Sequence, residues 1–160
     1  MAAPNESDPL RPGEMVLPLP ERTDARLVFI GRIRTPFATR EQCPRQGSAD
    51  GPECRVEVDA AWQAGLNGLT SYRQVELLYW LHQSRRDLVT QCPKSDGNFI
   101  GTFALRSPLR PNPIGTSICA LVRVEPAALV VRGLDCLDGT PLLDIKPFRS
   151  EFRPQAKPKR

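Results

Sequence analysis

Seventeen prolines in a chain of 160 residues constrain the fold more than any other feature of this sequence. That is about twice the usual share of roughly 5%. A proline inside a helix removes a backbone donor and clashes with the preceding turn; inside a central strand it breaks the ladder. The sequence therefore argues against long helices and for short strands joined by stiff connections. Five of the prolines (Pro4, Pro9, Pro12, Pro18, Pro20) fall within the first twenty residues. Residues 1–26 accordingly read as a proline-rich, poorly ordered arm. Residues 150–160 set Arg153, Lys157, Lys159 and Arg160 against the single acid Glu151 and read as a solvated basic tail. Residues 27–149 are the expected folded unit. A chain of this size buries roughly 70% of its unfolded surface and needs no staples to fold.

Period-two patterning runs through that unit. Residues 27–33 alternate Leu27, Phe29, Gly31 and Ile33 with a second set, and stop before Pro36. Residues 55–59 place Val56 and Val58 between charged residues, and Asp59 is positioned to cap a brief helix over 60–66. Residues 74–83 suit either a helix or a strand, and the apolar run 77–81 suits a buried strand. Residues 98–105 hold Phe99, Ile100, Phe103 and glycine, which suits a strand that bends. Residues 117–125 and 128–133 alternate again across a tight connection at Pro126, which predicts a hairpin. Residues 141–145 add a last strand. Six or seven strands and one short helix make the chain mainly β. The expected fold is a small closed or partly closed β-barrel with one or two short helices, which hides its strand edges.

Several function classes are excluded or disfavoured. No apolar run approaches the ~18 residues of a membrane helix, so no membrane partner is expected. The first twenty residues lack the charged head and apolar core of an export signal, which makes the cytoplasm the expected compartment. Five cysteines (Cys43, Cys54, Cys92, Cys119, Cys136) and one histidine, His82, offer neither a disulfide framework nor short metal-ligand spacings. The cysteines are expected free and mostly buried, and no metal site is expected. Neither a Gly-x-Gly-x-x-Gly fingerprint, a P-loop nor a Gly-x-Ser-x-Gly elbow occurs. The net charge is +4, and most of the 22 basic residues are arginines, whose planar fork suits phosphate and carboxylate.

The segment RSPLRPNPIG, residues 106–115, is the most informative. Pro108, Pro111 and Pro113 fix three backbone angles, so Arg106 and Arg110 are presented with little entropy left to lose. The segment LDCLDGTPLLDIKPF, residues 134–148, contains a turn at Asp138-Gly139, with Gly139 suited to positive φ. Its Asp144 and Lys146 lie two apart, which puts them on one face of a strand. Pro44-Arg45-Gln46-Gly47 forms a polar loop, and His82-Gln83 ends the aromatic run.

Together with FIGRIRTPF and GTFALRSP, these motifs resemble the TsaA-like (TrmO-type) family from about Phe29 to Phe148. The resemblance implies a β-barrel that binds S-adenosylmethionine and methylates N6 of threonylcarbamoyl-adenosine beside the tRNA anticodon. It further implies a homodimer with the cofactor near the interface, and tRNA as partner. Carried over by position, it implies a cofactor pocket of Pro44, Arg45, Gln46, His82, Gln83, Arg106, Thr116, Arg132, Gly133, Leu134 and Asp135. Arg106 or Arg45 is suited to the cofactor carboxylate, and Leu134 to an adenine slot. Asp138, Asp144 and Lys146 are the candidate catalytic groups for positioning the nucleophile and handling its proton. Arg110, Arg85 and Arg86 are the candidate RNA contacts. Longer family members carry a C-terminal extension that helps hold tRNA, whereas this sequence ends soon after Phe148. Two other uses of the same pocket remain open at this point: a non-catalytic cofactor binder, and a methyltransferase for another RNA or small molecule.

Overall fold

The computed structural model describes residues 9–18 and 25–149. Its strands are β1 (Gly31–Arg34), β2 (Glu53–Val58), β3 (Gln74–Trp80), β4 (Thr90–Gln91), β5 (Ile100–Gly101), β6 (Ile114–Glu125), β7 (Ala128–Arg132) and β8 (Thr140–Pro147). Six of them close into an antiparallel barrel in the order β1-β2-β7-β6-β3-β8, and β4 pairs with β5 apart from it. The expected β6–β7 hairpin is present, with Glu125 opposite Ala128.

Alternation settled the ambiguous segment. In β3, Val75, Leu77 and Tyr79 point inward, while Gln74, Glu76, Leu78 and Trp80 point outward. Two neighbours, β6 and β8, satisfy its backbone along both edges. The interior is closed by Ile33, Val56, Val75, Leu77, Leu129, Val131 and Leu142, none of which exposes any surface. Each such side chain stabilises the fold by about 1.5–3 kcal/mol relative to exposure.

Three segments differ from the sequence reading. First, β1 starts at Gly31 rather than residue 27. Gly31 lies opposite Val58, the last residue of β2, and the chain then turns away into the 3-10 helix Ala60–Leu66. Leu27, Val28 and Phe29 are left without a partner strand and stand exposed. Second, the helix over 60–66 is a 3-10 helix, tightened by Trp62 N–H donating to the Asp59 carbonyl; Asp59 sits at its N-cap without a side-chain cap bond. Third, residues 98–105 do not form one bent strand. After the two-residue β5 the chain enters a 3-10 turn, Thr102–Ala104, because Thr102 is drawn inward. Its hydroxyl donates to the Leu88 carbonyl at 2.9 Å and accepts from the Gln91 amide at 3.0 Å.

Of the expected arm, residues 9–18 lie along the segment 87–92 rather than apart from the fold. Val16 bridges Leu88, Leu17 N–H donates to the Asp87 carbonyl at 2.8 Å, and Val89 N–H donates to the Met15 carbonyl at 2.9 Å. Residues 1–8, 19–24 and the expected basic tail at 150–160 lie outside the described residues. All five cysteines are free, with four of them buried and Cys43 half-buried. No helix among the described residues is long and apolar enough to cross a membrane. Nor is any group of three His, Cys, Asp or Glu among them placed to hold a metal ion.

Candidate functional site

The strand directions decide where the motifs meet. Arg34 at the end of β1 lies opposite Arg55 near the start of β2, and Ile33 lies opposite Thr140 at the start of β8. Arg132 at the end of β7 lies opposite Glu53, and Trp80 at the end of β3 lies opposite Ile114. The connections 35–52, 81–113 and 133–139 therefore all leave the same rim of the barrel. That rim receives the Pro44–Gly47 loop, the His82-Gln83 pair, the proline loop and the segment after β7. The opposite rim holds the 3-10 helices of 59–73 and the short β6–β7 turn.

At the centre of the rim, Tyr79 is 3% exposed. Its hydroxyl donates to Asp135 Oδ1 at 2.9 Å and lies 2.8 Å from Ser117 Oγ, which is left to donate to it. Burial, with the Asp135 carboxylate beside it, pushes the Tyr79 phenol far above its ordinary range, so it is a neutral donor. Two hydroxyls in series thus hold one carboxylate oxygen at the barrel mouth. Gly115, the last residue of the proline loop motif, lies opposite Tyr79 in the ladder. A Cβ there would stand 2.2 Å from the ring edge, so this glycine is the notch that seats the ring.

A second close approach fixes the Pro44–Gly47 loop. A Cβ on Gly47 would lie 1.8 Å from the Gly133 carbonyl oxygen, so only glycine lets this loop rest on the segment after β7. The loop start is tied across the rim by an Arg40 guanidinium donating to the Gln83 carbonyl. Burial, followed by the nearby Asp135 charge, raises the Cys43 thiol, which keeps it protonated. His82 is pulled below its ordinary value, first by partial burial and then by the cations Arg32 and Arg40, so its imidazole is neutral near pH 7. Pro44, Arg45, Gln46, His82 and Gln83 all face solvent around this loop.

Arg106 is exposed and donates to the Thr116 carbonyl at 3.2 Å, which holds its guanidinium over the start of β6. The proline loop beneath it is anchored by Leu81 N–H donating to the carbonyl of the buried Pro113 at 2.8 Å. Arg110 staples the same loop from within, donating to the Leu105 and Ser107 carbonyls at 3.0 and 3.1 Å. Arg86 donates to the Pro111 carbonyl at 2.6 Å and stacks on Trp80 at 5.3 Å, and Arg85 forks onto Asp87. All three candidate RNA arginines are thus spoken for in holding the loops that frame the rim.

The remaining sequence candidates divide by position. The Thr116 side chain lies on the outer wall, donating to Glu76 Oε1 at 2.8 Å, and the Arg132 guanidinium is bound to Glu53 at 3.0 Å. Leu134 is 2% exposed and packs into the core, so its side chain does not stand open to a ligand. Asp138 sits in the rim turn, where its Oδ1 accepts from Thr35 N–H at 3.1 Å and Gly139 takes the expected positive φ, 78°. Asp144 and Lys146 form an ion pair at 2.5 Å on the outer wall of β8, opposite Leu78 and Glu76. Tyr79 and Ser117 belong to none of the sequence motifs, and Gly47 and Gly115 enter them only as the ends of the polar and proline loops. The inward phase of Val75, Leu77 and Tyr79 is the signal that marks the tyrosine.

Closed antiparallel strands with their polar recognition groups on the loops of one rim define a small β-barrel binding domain. Residues 32–153 match the family model described as the tRNA-methyltransferase O N-terminal domain, and the chain belongs to that family. It is 54% identical over 147 residues to a probable S-adenosyl-L-methionine-binding protein, VirR, of Rhizobium radiobacter, spanning 92% of this chain and 84% of that protein. It is 33% identical over 131 residues to a tRNA (adenine(37)-N6)-methyltransferase of Mus musculus, spanning 77% of this chain and 30% of that protein. The crystal structure of TrmO from Pseudomonas aeruginosa superposes with a TM-score of 0.70 at 32% identity, over 86% of this chain and 62% of that chain.

Proposed function

We propose that the loop-bearing rim binds S-adenosylmethionine and that the chain methylates tRNA at N6 of adenine 37, the position in the mouse relative's name, with threonylcarbamoyl-adenosine as the substrate base. The observation that carries this reading is the convergence on one rim of the Pro44–Gly47 loop, His82-Gln83, Arg106 and an Asp135 carboxylate held by Tyr79 and Ser117. The groups present suit the ligand. Arg106 and Arg45 are exposed cations for its carboxylate. Asp135 is an oriented anion for its ammonium or ribose hydroxyls, and the backbone of residues 132–134 supplies carbonyls.

S-adenosylmethionine supplies an electrophilic methyl group when bound. What the chain contributes is alignment, the main requirement of an in-line displacement. Tyr79 and Ser117 remove the rotational freedom of Asp135, and the proline loop removes that of Arg106. The displaced N6 proton needs an acceptor. Of the groups expected to handle it, Asp138 lies on the rim, and the neutral His82 imidazole there is a second acceptor. Asp144 and Lys146 neutralise each other on the outer wall.

The test is methyl incorporation from labelled cofactor into tRNA with and without the threonylcarbamoyl group. Transfer to the modified tRNA alone supports the reading. Tight cofactor binding with no transfer supports the alternative of a non-catalytic binder, which the name given to the VirR relative favours. A homodimer is part of the proposal. The exposed Ile114, Ile118 and Val122 on β6 give it an apolar face, and sedimentation of the purified chain as a dimer is the expected result. The cytoplasm is the proposed compartment.

A further inference from the structure

We infer that residues 9–14 form one wall of a second, anion-binding cleft beside the rim, in which the Arg11 guanidinium, with the Ser107 hydroxyl across the cleft, grips an oxyanion of the RNA substrate. The inference rests on the proposed action on tRNA. The cleft has a volume of about 340 Å³. Arg11 and Glu14 line one side, Leu105, Arg106 and Ser107 the other, and Gln91 is shared between them. These N-terminal residues lie outside the region 32–153 that matches the family, so the family resemblance assigns them no role.

The wall is built rather than draped. Glu14 accepts from Cys92 N–H at 2.9 Å through one carboxylate oxygen and from Arg11 N–H at 3.0 Å through the other. Met15 N–H donates to Thr90 Oγ1 at 3.0 Å, and the Arg11 guanidinium donates to the Cys92 carbonyl. Both Glu14 oxygens are thereby engaged by backbone donors within the wall. Glu14 is thus turned onto the backbone, and the Arg11 guanidinium is fixed over the cleft by the Cys92 carbonyl. A guanidinium held in place loses little entropy when it takes up a planar or tetrahedral oxyanion. Leu105, Leu109, Pro9 and Pro93 supply apolar walls around it. On the proposed RNA, that oxyanion is either the carboxylate of the threonylcarbamoyl group or a backbone phosphate.

Binding of anticodon stem-loops with and without the threonylcarbamoyl group separates these sources. Arg11→Ala is expected to weaken stem-loop binding by roughly tenfold or more, the loss of a charge-assisted hydrogen bond. Cofactor affinity should stay at the wild-type value, with Tm lowered by only a few degrees through the lost Arg11–Cys92 bond. A loss confined to the modified stem-loop identifies the carboxylate. An equal loss on both stem-loops, with a salt slope shallower by about one, identifies a phosphate. Unchanged RNA affinity in Arg11→Ala overturns the inference. So does an equal loss of RNA affinity in Glu14→Gln, which loosens the wall but keeps the guanidinium. Wild-type protein that binds neither stem-loop overturns the RNA reading itself, and this cleft with it.

Discussion

Gly115→Ala is the sharpest probe of the rim, because the structure says which atoms must move. The added Cβ would stand 2.2 Å from Cε2 of Tyr79, 2.7 Å from Cδ2 and 2.8 Å from Cζ, where ordinary contacts begin near 3.4 Å. The ring must retreat by more than an ångström. A shift of that size carries the hydroxyl out of its 2.8 and 2.9 Å bonds to Ser117 and Asp135. Overpacking costs about 1–3 kcal/mol, and losing a buried hydrogen bond to a charged group costs about 1.5–3 kcal/mol. The sum of about 2.5–6 kcal/mol lowers Tm by roughly 5–24 °C in a domain of this size. Thermal unfolding with and without S-adenosylmethionine is the assay. The expected result is a lowered Tm together with a lost or reduced stabilising shift on adding cofactor. Tyr79→Leu removes the outer ring atoms, so Gly115→Ala should cost at least 1 kcal/mol less in that background, an order of magnitude normal for residues in contact. An unchanged Tm in Gly115→Ala, or full additivity with Tyr79→Leu, would refute the notch.

Tyr79→Phe keeps the ring in its notch and removes only the hydroxyl, so it should weaken cofactor binding about tenfold by calorimetry and leave the strand register unchanged. Thr102→Val deletes the donor to the Leu88 carbonyl and an acceptor for Gln91, and should lower stability by about 1–3 kcal/mol in urea unfolding. His82 has a lowered folded pKa against an unfolded value near 6.5, so the unfolded chain binds more protons in the window just below 6.5. Stability should therefore rise with pH up to 6.5 and fall below it, and His82→Asn should remove that part of the slope in a Tm-against-pH series. Asp144→Asn breaks an exposed ion pair on the outer wall and should leave both Tm and methyl transfer unchanged. Loss of transfer at unchanged Tm would instead place Asp144 in the catalytic machinery.

Much of the barrel was legible because period-two burial is written into β1, β2 and β3. The inward residues of one wall simply alternate with outward ones. What the alternation does not encode is where a strand loses its neighbour. Leu27, Val28 and Phe29 have strand chemistry, but β2 has already turned away opposite them. The bend at Thr102 was hidden for a similar reason. A threonine suits strands, and only its bonds to Leu88 and Gln91, distant in sequence, reveal that it turns inward. The site motifs stood out by composition and spacing, and strand direction brings them to one rim. Their division of labour was not legible. Arg110, Arg86 and Arg132 look like free cations in a sequence, yet each closes a loop or pairs across the wall. Asp144 and Lys146 share a face, as their spacing required, but that face is the outer wall. The N-terminal prolines suggested an arm with no partner. The hydrogen bonds of Met15 and Leu17 to the segment 87–90, on either side of the Val16–Leu88 bridge, depend on a pairing that no local pattern announces.

The most direct test of the central claim is a calorimetric titration of the purified chain with S-adenosylmethionine, alongside Asp135→Asn and Arg106→Ala. The account predicts saturable binding of one cofactor per subunit, with affinity reduced at least about tenfold in each variant while both stay folded. Wild-type affinity in the folded variants would contradict the placement of the cofactor on this rim. Absence of binding to the folded wild-type chain would contradict the cofactor reading itself.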